Sequence, residues 1–143
     1  MKIIVTGGLG FIGSSLVRYF LTKTKHKILN IDSKTEVSMP ESLKTIENNR
    51  NYKFIKLDIS NLKKLERSIL KFKPDLIFHL AAESHVDNSI SKPLKFMKSN
   101  IIGTFNILES CRKYLELKDA KKKFRLIHVS TDEVYGSLSL NQK

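Results

Sequence analysis

Three glycines spaced three apart, Gly7, Gly10 and Gly13, restrict this chain more than any other feature. They sit in the run Gly7-Gly8-Leu9-Gly10-Phe11-Ile12-Gly13. The residues before them, Lys2–Thr6, are apolar and β-prone. Those after, Phe11 to Thr22, are apolar at Phe11, Ile12, Leu16, Val17, Phe20 and Leu21, one face of a 3.6-residue period. A strand that passes through glycines directly into a helix opens a βαβ unit whose helix N-terminus faces phosphate. Gly7 serves the tight turn, Gly10 the close approach of a pyrophosphate, and Gly13 the close packing of helix on sheet.

Further along, short β-prone runs alternate with amphipathic stretches. Strands are expected at Lys2–Thr6, Lys27–Ile31, Tyr52–Leu57, Leu76–Leu80 and Arg125–Val129. A weaker helix is expected within Glu41–Asn49, in an otherwise irregular polar excursion over 33–50. Another spans Asn61–Phe72, with Ser60 as candidate cap and Leu62, Leu65 and Ile69 facing inward. The longest runs from Pro93 to about Tyr114 and is expected to bury Phe96, Met97, Ile101, Phe105, Leu108 and Cys111. Such alternation predicts an α/β fold, a Rossmann-type doubly wound parallel sheet of about five strands in the order 3-2-1-4-5. One dinucleotide-binding domain, 1–143, accounts for the whole chain.

Asp32 ends the second predicted strand, nineteen residues after Gly13. At that distance a carboxylate accepts bonds from the adenosine ribose hydroxyls, and it repels a 2′-phosphate, so NAD is favoured over NADP. Later strand ends carry Asp58, then Ala81-Ala82, then Ser130-Thr131. One elongated ligand across the carboxyl edge of the sheet fits all of them.

The fifth strand runs into Thr131-Asp132-Glu133-Val134-Tyr135-Gly136. Two adjacent carboxylates there can divide acid and base roles where their environments differ. Taken alone, the pair also suits a solvated turn closed by Gly136.

Charge and cysteine content limit other functions. The net charge is +12, from 21 Lys and 5 Arg against 14 acidic residues. The basic residues are scattered, and the dense cluster Lys121-Lys122-Lys123 reads as a solvated loop with no interleaved aromatics, which argues against nucleic-acid binding. The positive charge still draws anionic ligands such as nucleotides. The single cysteine, Cys111, allows no internal disulfide and falls in an apolar helical pattern, so a core role in a cytoplasmic protein is expected. No metal site and no membrane span are expected.

These residues resemble the extended short-chain dehydrogenase/reductases, the nucleotide-sugar epimerases and dehydratases, and within them the dTDP-glucose 4,6-dehydratase family. The matching runs are Thr6 to Gly13, Asp32, Asp58-Ile59, His79 to Asp87, Asn100 to Thr104, and Ser130 to Gly136. His79-Leu80-Ala81-Ala82-Glu83-Ser84-His85-Val86-Asp87 and Thr131 to Gly136 are the specific ones, since epimerases lack the Asp-Glu pair. The resemblance implies NAD as cofactor, dTDP-glucose as substrate and a 4-keto-6-deoxy sugar as product. It places Phe11 and Ile12 along the pyrophosphate, Asp32 and Thr35 on the adenosine ribose, and Asp58 and Ile59 beside the adenine. Leu80, Ala81, Ala82 and Ser84 would line the nicotinamide half, with Ser84 also near the sugar. Ser99 stands where a Thr contacts the cofactor. Thr131 would bond the sugar, Asp132 would act as general acid and Glu133 as general base.

The family also uses a Tyr-x-x-x-Lys pair later in its sequence, and it is usually homodimeric. Here that spacing occurs at Tyr19/Lys23, Tyr52/Lys56 and Tyr114/Lys118, all before the acid pair, and the sequence ends at Lys143. The expectation is therefore an N-terminal fragment that lacks the substrate domain. It would be inactive alone, either as an enzyme half completed by a second chain that carries the C-terminal half or as a non-catalytic remnant that binds NAD weakly.

Overall fold

The computed structural model describes residues 1–116 and 124–136. Strands β1 (Lys2–Thr6), β2 (Lys27–Asp32), β3 (Tyr52–Lys56), β4 (Leu76–His79) and β5 (Arg125–His128) form one sheet in the order β3-β2-β1-β4-β5. Every neighbouring pair is parallel, as the alternating pattern predicts. β4 and β5 each end one residue short of expectation, but backbone bonding reaches the expected ends, with Leu80 N–H bonded to the Thr6 carbonyl and Val129 N–H to that of His79. The Lys121 to Lys123 loop and Lys118 lie outside the described residues.

The core follows from strand periodicity. Successive β1 side chains face opposite sides, so Ile3 and Val5 pack with Leu9, Val17 and Leu21 of the α1 layer. Ile4 packs instead with Leu65 and Ile69 of α2 and with Ile107, Cys111 and Tyr114 of α5. These helices are α1 (Phe11–Lys23), α2 (Leu62–Phe72) and α5 (Thr104–Glu116). Both faces of the central strands are thus covered, the usual condition of a parallel sheet. Burial pushes the Cys111 thiol up to about 12, so it stays protonated as a core group.

Several expectations are corrected. The segment within Glu41–Asn49 is a 3₁₀ helix, Pro40–Ile46, that seats Leu43 and Ile46 in the α1-side core. Asn61, not Ser60, caps α2, its Oδ1 accepting from Lys64 N–H at 3.2 Å. Leu65 and Ile69 are fully buried as expected, while Leu62 is half-buried. Short helices α3 (Val86–Ser91) and α4 (Pro93–Phe96) follow β4, and α4 passes through a π-helical segment, Met97–Gly103, into α5.

The long helical stretch also faces the other way. Gly103, Asn106, Ile107, Ser110, Cys111 and Tyr114 are buried. Met97, Ile101, Phe105 and Leu108 are each half exposed or more. A Cβ on Gly103 would meet Ile59 Cδ1 at 2.5 Å, so at that turn the helix lies too close to the β3–α2 loop for any side chain. The exposed apolar residues form an outer stripe.

Candidate functional site

The glycine loop is built to the tolerance the sequence suggests. Gly7 has φ +72°, and a Cβ there would lie 2.7 Å from the Ala81 nitrogen, so β1 and the β4 end approach backbone to backbone. A Cβ on Gly13 would run into the Gly7 carbonyl. Gly10 N–H donates to that carbonyl at 3.0 Å, which closes the turn, and Gly10 caps α1 without a side chain. The first N–H groups of α1 therefore point outward unbonded within the helix, beside the exposed Phe11 and Ile12.

Asp32 is held firmly at the end of β2. It is 8% exposed. Its Oδ2 accepts from Leu9 N–H at 3.0 Å, and Oδ1 accepts from Lys34 N–H at 2.8 Å and the Ser38 hydroxyl at 3.3 Å. The carboxylate thus ties the glycine loop to the segment after β2. Met39 N–H donates to the Leu9 carbonyl at 2.7 Å and makes the same connection through backbone. These contacts take three of the roughly four acceptor positions of a carboxylate.

A cavity of about 110 Å³ opens between these elements. Gly7, Gly10, Asp32, Thr35, Asp58, Ile59, Leu80, Ala81, Ala82 and Ser99 all line it. Asp58 is exposed, and its Oδ1 accepts from Ser60 N–H at 2.8 Å, which shapes the loop after β3. Buried Asn106 fixes the same loop by donating to the Ile59 and Ser60 carbonyls, each at 2.9 Å. Phe11 and Ile12 do not line this cavity, and Gly13 lies behind the loop.

A second cavity, of about 670 Å³, shares Ala81, Ala82 and Glu83 with the first. Ser84, Thr131 and Glu133 line it, with Ser89, Phe96, Asn100, Thr104 and His128. Of the two cavities, Leu80 lines the first. Asp132 does not line the second cavity, yet it stands next to Glu133 in an exposed 3₁₀ turn, Asp132–Tyr135. The Thr131 hydroxyl lies 3.3 Å from Asp132 Oδ1 and 3.4 Å from Glu133 Oε2, and it also accepts from Glu133 N–H. One hydroxyl therefore organises both carboxylates.

Two groups in the floor of the cleft belong to the matching runs but carry no expected role there. The Asn100 side chain grips Glu83 by its backbone, accepting from N–H at 2.8 Å and donating to the carbonyl at 2.9 Å. Lys95 adds an ion pair to the Glu83 carboxylate at 2.9 Å. A polar residue on a helix that also carries Ser99 was the available signal. The second group is His79, buried within β4 and stacked on His128 with ring centroids 4.9 Å apart. Burial and the neighbouring His128 lower its pKa to about 4, so it is neutral. A histidine in an apolar strand gave no sign of this pairing. Among the described residues no group of three or more His, Cys, Asp or Glu is placed to hold a metal, and no helix is long and apolar enough to cross a membrane.

Fold and cleft together define a dinucleotide-binding α/β domain of the Rossmann class, with an acid pair at its open end. The pattern of the GDP-mannose 4,6 dehydratase family matches residues 4–143, and the chain belongs to that family. It is 48% identical over 99% of its length to the dTDP-glucose 4,6-dehydratase of Haemophilus influenzae, and 50% identical over 96% to that of Escherichia coli. It spans 43% and 39% of those two proteins. Among solved structures, the dTDP-glucose 4,6-dehydratase of Bacillus anthracis, in complex with NAD, superposes with a TM-score of 0.82 at 38% identity. That match covers all of this chain and 41% of the other. The enzyme of the same name from Streptomyces venezuelae, solved with NAD bound, gives 0.83 at 36%, covering 97% of this chain and 42% of that one.

Proposed function

We propose that this chain is the NAD-binding portion of a dTDP-glucose 4,6-dehydratase and that the acid pair belongs to its active site. The observation that carries the reading is the continuous cleft. One cavity, bounded by the glycine loop and Asp32, opens through Ala81 and Ala82 into another that holds Ser84, Thr131 and Glu133. Gly7 and Gly13, where an added Cβ would meet backbone, hold the loop tight on the sheet and leave the first N–H groups of α1 open to a pyrophosphate. Asp32 faces the adenosine ribose and disfavours a 2′-phosphate. The family likeness and the NAD-bound neighbours support the same assignment.

When bound, NAD supplies a hydride acceptor that later returns the hydride. The chain's own residues handle protons. Glu133 removes the C5 proton of the oxidised sugar, Asp132 protonates the departing C6 hydroxyl, and Thr131 holds the sugar and both carboxylates in one arrangement. The chain spans 43% and 39% of its two relatives, and the remaining roles of the reaction are assigned to the rest of such a protein. Uncovered apolar groups on the elements nearest the second cavity fit that assignment. On β5 and just past its end, Ile127 and Val129 are 42% and 43% exposed, and on the helix the outer stripe includes Ile101 and Phe105.

Calorimetry with NAD and NADP tests the cofactor assignment, and equal or tighter NADP binding overturns the role of Asp32. Assay with dTDP-glucose tests the rest. The chain alone is expected to form no 4-keto-6-deoxy product, and fusion to a related C-terminal half is expected to restore it. In that fusion Glu133→Gln and Asp132→Asn should each slow dehydration by about 10²–10⁴-fold. Deuterium exchange at C5 of a 4-keto sugar should vanish in the Glu133 variant and persist in the Asp132 variant. If the fusion stays inactive although it binds NAD, the chain is a non-catalytic remnant of the family.

A further inference from the structure

Thr6, His79 and Thr104 form a buried polar chain that crosses from β1 through β4 to the start of α5. The Thr6 hydroxyl oxygen lies 2.7 Å from His79 Nδ1 and receives Ala81 N–H at 3.4 Å. His79 Nε2 lies 3.1 Å from the Thr104 hydroxyl oxygen. Thr6 is fully buried, so its proton needs an acceptor within the protein. Ala81 N–H is itself a donor, which leaves Nδ1 as the acceptor. The neutral imidazole then carries its proton on Nε2 and donates it to Thr104. Thr104 therefore acts as acceptor toward His79, and its own proton is free. Thr104 is half-buried and lines the second cavity, where Thr131 and Glu133 also stand.

We propose that Thr104 is a ligand-binding residue of the second cavity, offering its hydroxyl proton to an uncharged oxygen of the bound molecule, and that His79 is the positioning residue that sets this polarity. The same chain holds the Ala81 backbone against β1, at the point where the two cavities meet. An uncharged carbonyl or hydroxyl oxygen, in the nicotinamide carboxamide or in the sugar, is the matching chemistry, because a hydroxyl donor needs no counter-charge. The proposal rests on the cleft assigned above, but the proton arrangement does not.

Nitrogen-15 NMR of the imidazoles in the ligand-free chain at neutral pH tests that arrangement. The expected result is a neutral His79 with its proton on Nε2. A proton on Nδ1, or an imidazolium, overturns the proposal. Calorimetry tests the binding role, with NAD in one arm and dTDP-glucose in the other, on the fusion to a related C-terminal half, as the parent sequence and as Thr104→Ser and Thr104→Val. Loss of about fivefold in affinity for Val, with Ser close to the parent, is the expected signature of one neutral hydrogen bond. The arm in which the loss appears identifies the oxygen. Val binding both ligands like the parent overturns the Thr104 role alone. A parent fusion that binds neither ligand overturns that role together with the cleft assignment.

Discussion

Asp32→Asn separates what this carboxylate does for the fold from what it does for a ligand. Asn keeps the shape but has only one acceptor oxygen. If that oxygen keeps the Lys34 N–H and Ser38 bonds, the new amide nitrogen faces Leu9 N–H across 3.0 Å, donor against donor. Leu9 is 4% exposed, so its N–H has little access to water. The reverse orientation gives up two contacts instead of one. The smaller loss is one charge-assisted bond and one stranded N–H, together about 2–3 kcal/mol. For a chain of this size that lowers Tm by roughly 6–10 °C. The ligand effect is independent of this. Two like charges about 4 Å apart repel by about 4 kcal/mol at an effective dielectric near 20. Removing the carboxylate charge should therefore raise NADP affinity relative to NAD by about tenfold or more. Differential scanning calorimetry measures the first effect and titration with both cofactors the second. A lowered Tm with an unchanged cofactor ratio would refute the ribose role and leave Asp32 as a loop tie only. An unchanged Tm would refute the bonding geometry.

Other outcomes follow from the same structure. Gly13→Ala places a methyl on the Gly7 carbonyl and should destabilise by about 2 kcal/mol or more, while Gly10→Ala, whose nearest atom is at 3.2 Å, should cost less; thermal melts of the two variants rank them. His79 has a folded pKa lowered from 6.5 to about 4, so the unfolded chain binds its proton first as the medium acidifies. Stability should be complete above pH 6.5 and fall as pH drops toward 4, by up to about 3 kcal/mol from this group, and His79→Gln should flatten that slope in urea titrations. Cys111, with its pKa pushed up to about 12, should react with a thiol reagent at pH 8 only as fast as the chain opens, so labelling in its native state should be far slower than in urea.

The sheet was readable because its signals are local and repeated. Each strand is a short apolar run, each crossover an amphipathic stretch, and parallel pairing with right-handed connections leaves few orders to choose among. The strand ends were set one residue too far at Leu57, Leu80 and Val129, since the backbone pairing outlasts regular strand geometry there. Asp32, Gly7 and Ala81 were readable for a different reason. Their chemistry is tied to a fixed distance along the chain from the first turn, so sequence spacing carries spatial information. Phe11 and Ile12 could be placed at the start of α1, but sequence could not tell that they would stand 78% and 61% exposed beside the loop.

Burial along the helix expected from Pro93 to about Tyr114 departs from its hydrophobic face for a physical reason that spacing cannot reveal. Periodicity identifies a face, and hydrophobicity then chooses which face is buried. Here the inner face must lie close to Ile59 and α2, so it is made of Gly103, Asn106, Ser110 and Cys111 beside Ile107 and Tyr114. Asn106 is buried because it satisfies two loop carbonyls, and Tyr114 because its hydroxyl donates to the Pro74 carbonyl at 3.0 Å. The larger apolar residues lie on the opposite side. A ranking by hydrophobicity must select that outer stripe. The π-helical turn at Met97–Gly103 adds to the effect, because a wider turn shifts the angular phase between α4 and α5. It also delivers Ser99 to one cavity and Asn100 to the other from adjacent positions. Sequence spacing that assumes 3.6 residues per turn throughout therefore loses the face at the same place where the helix contributes to the site.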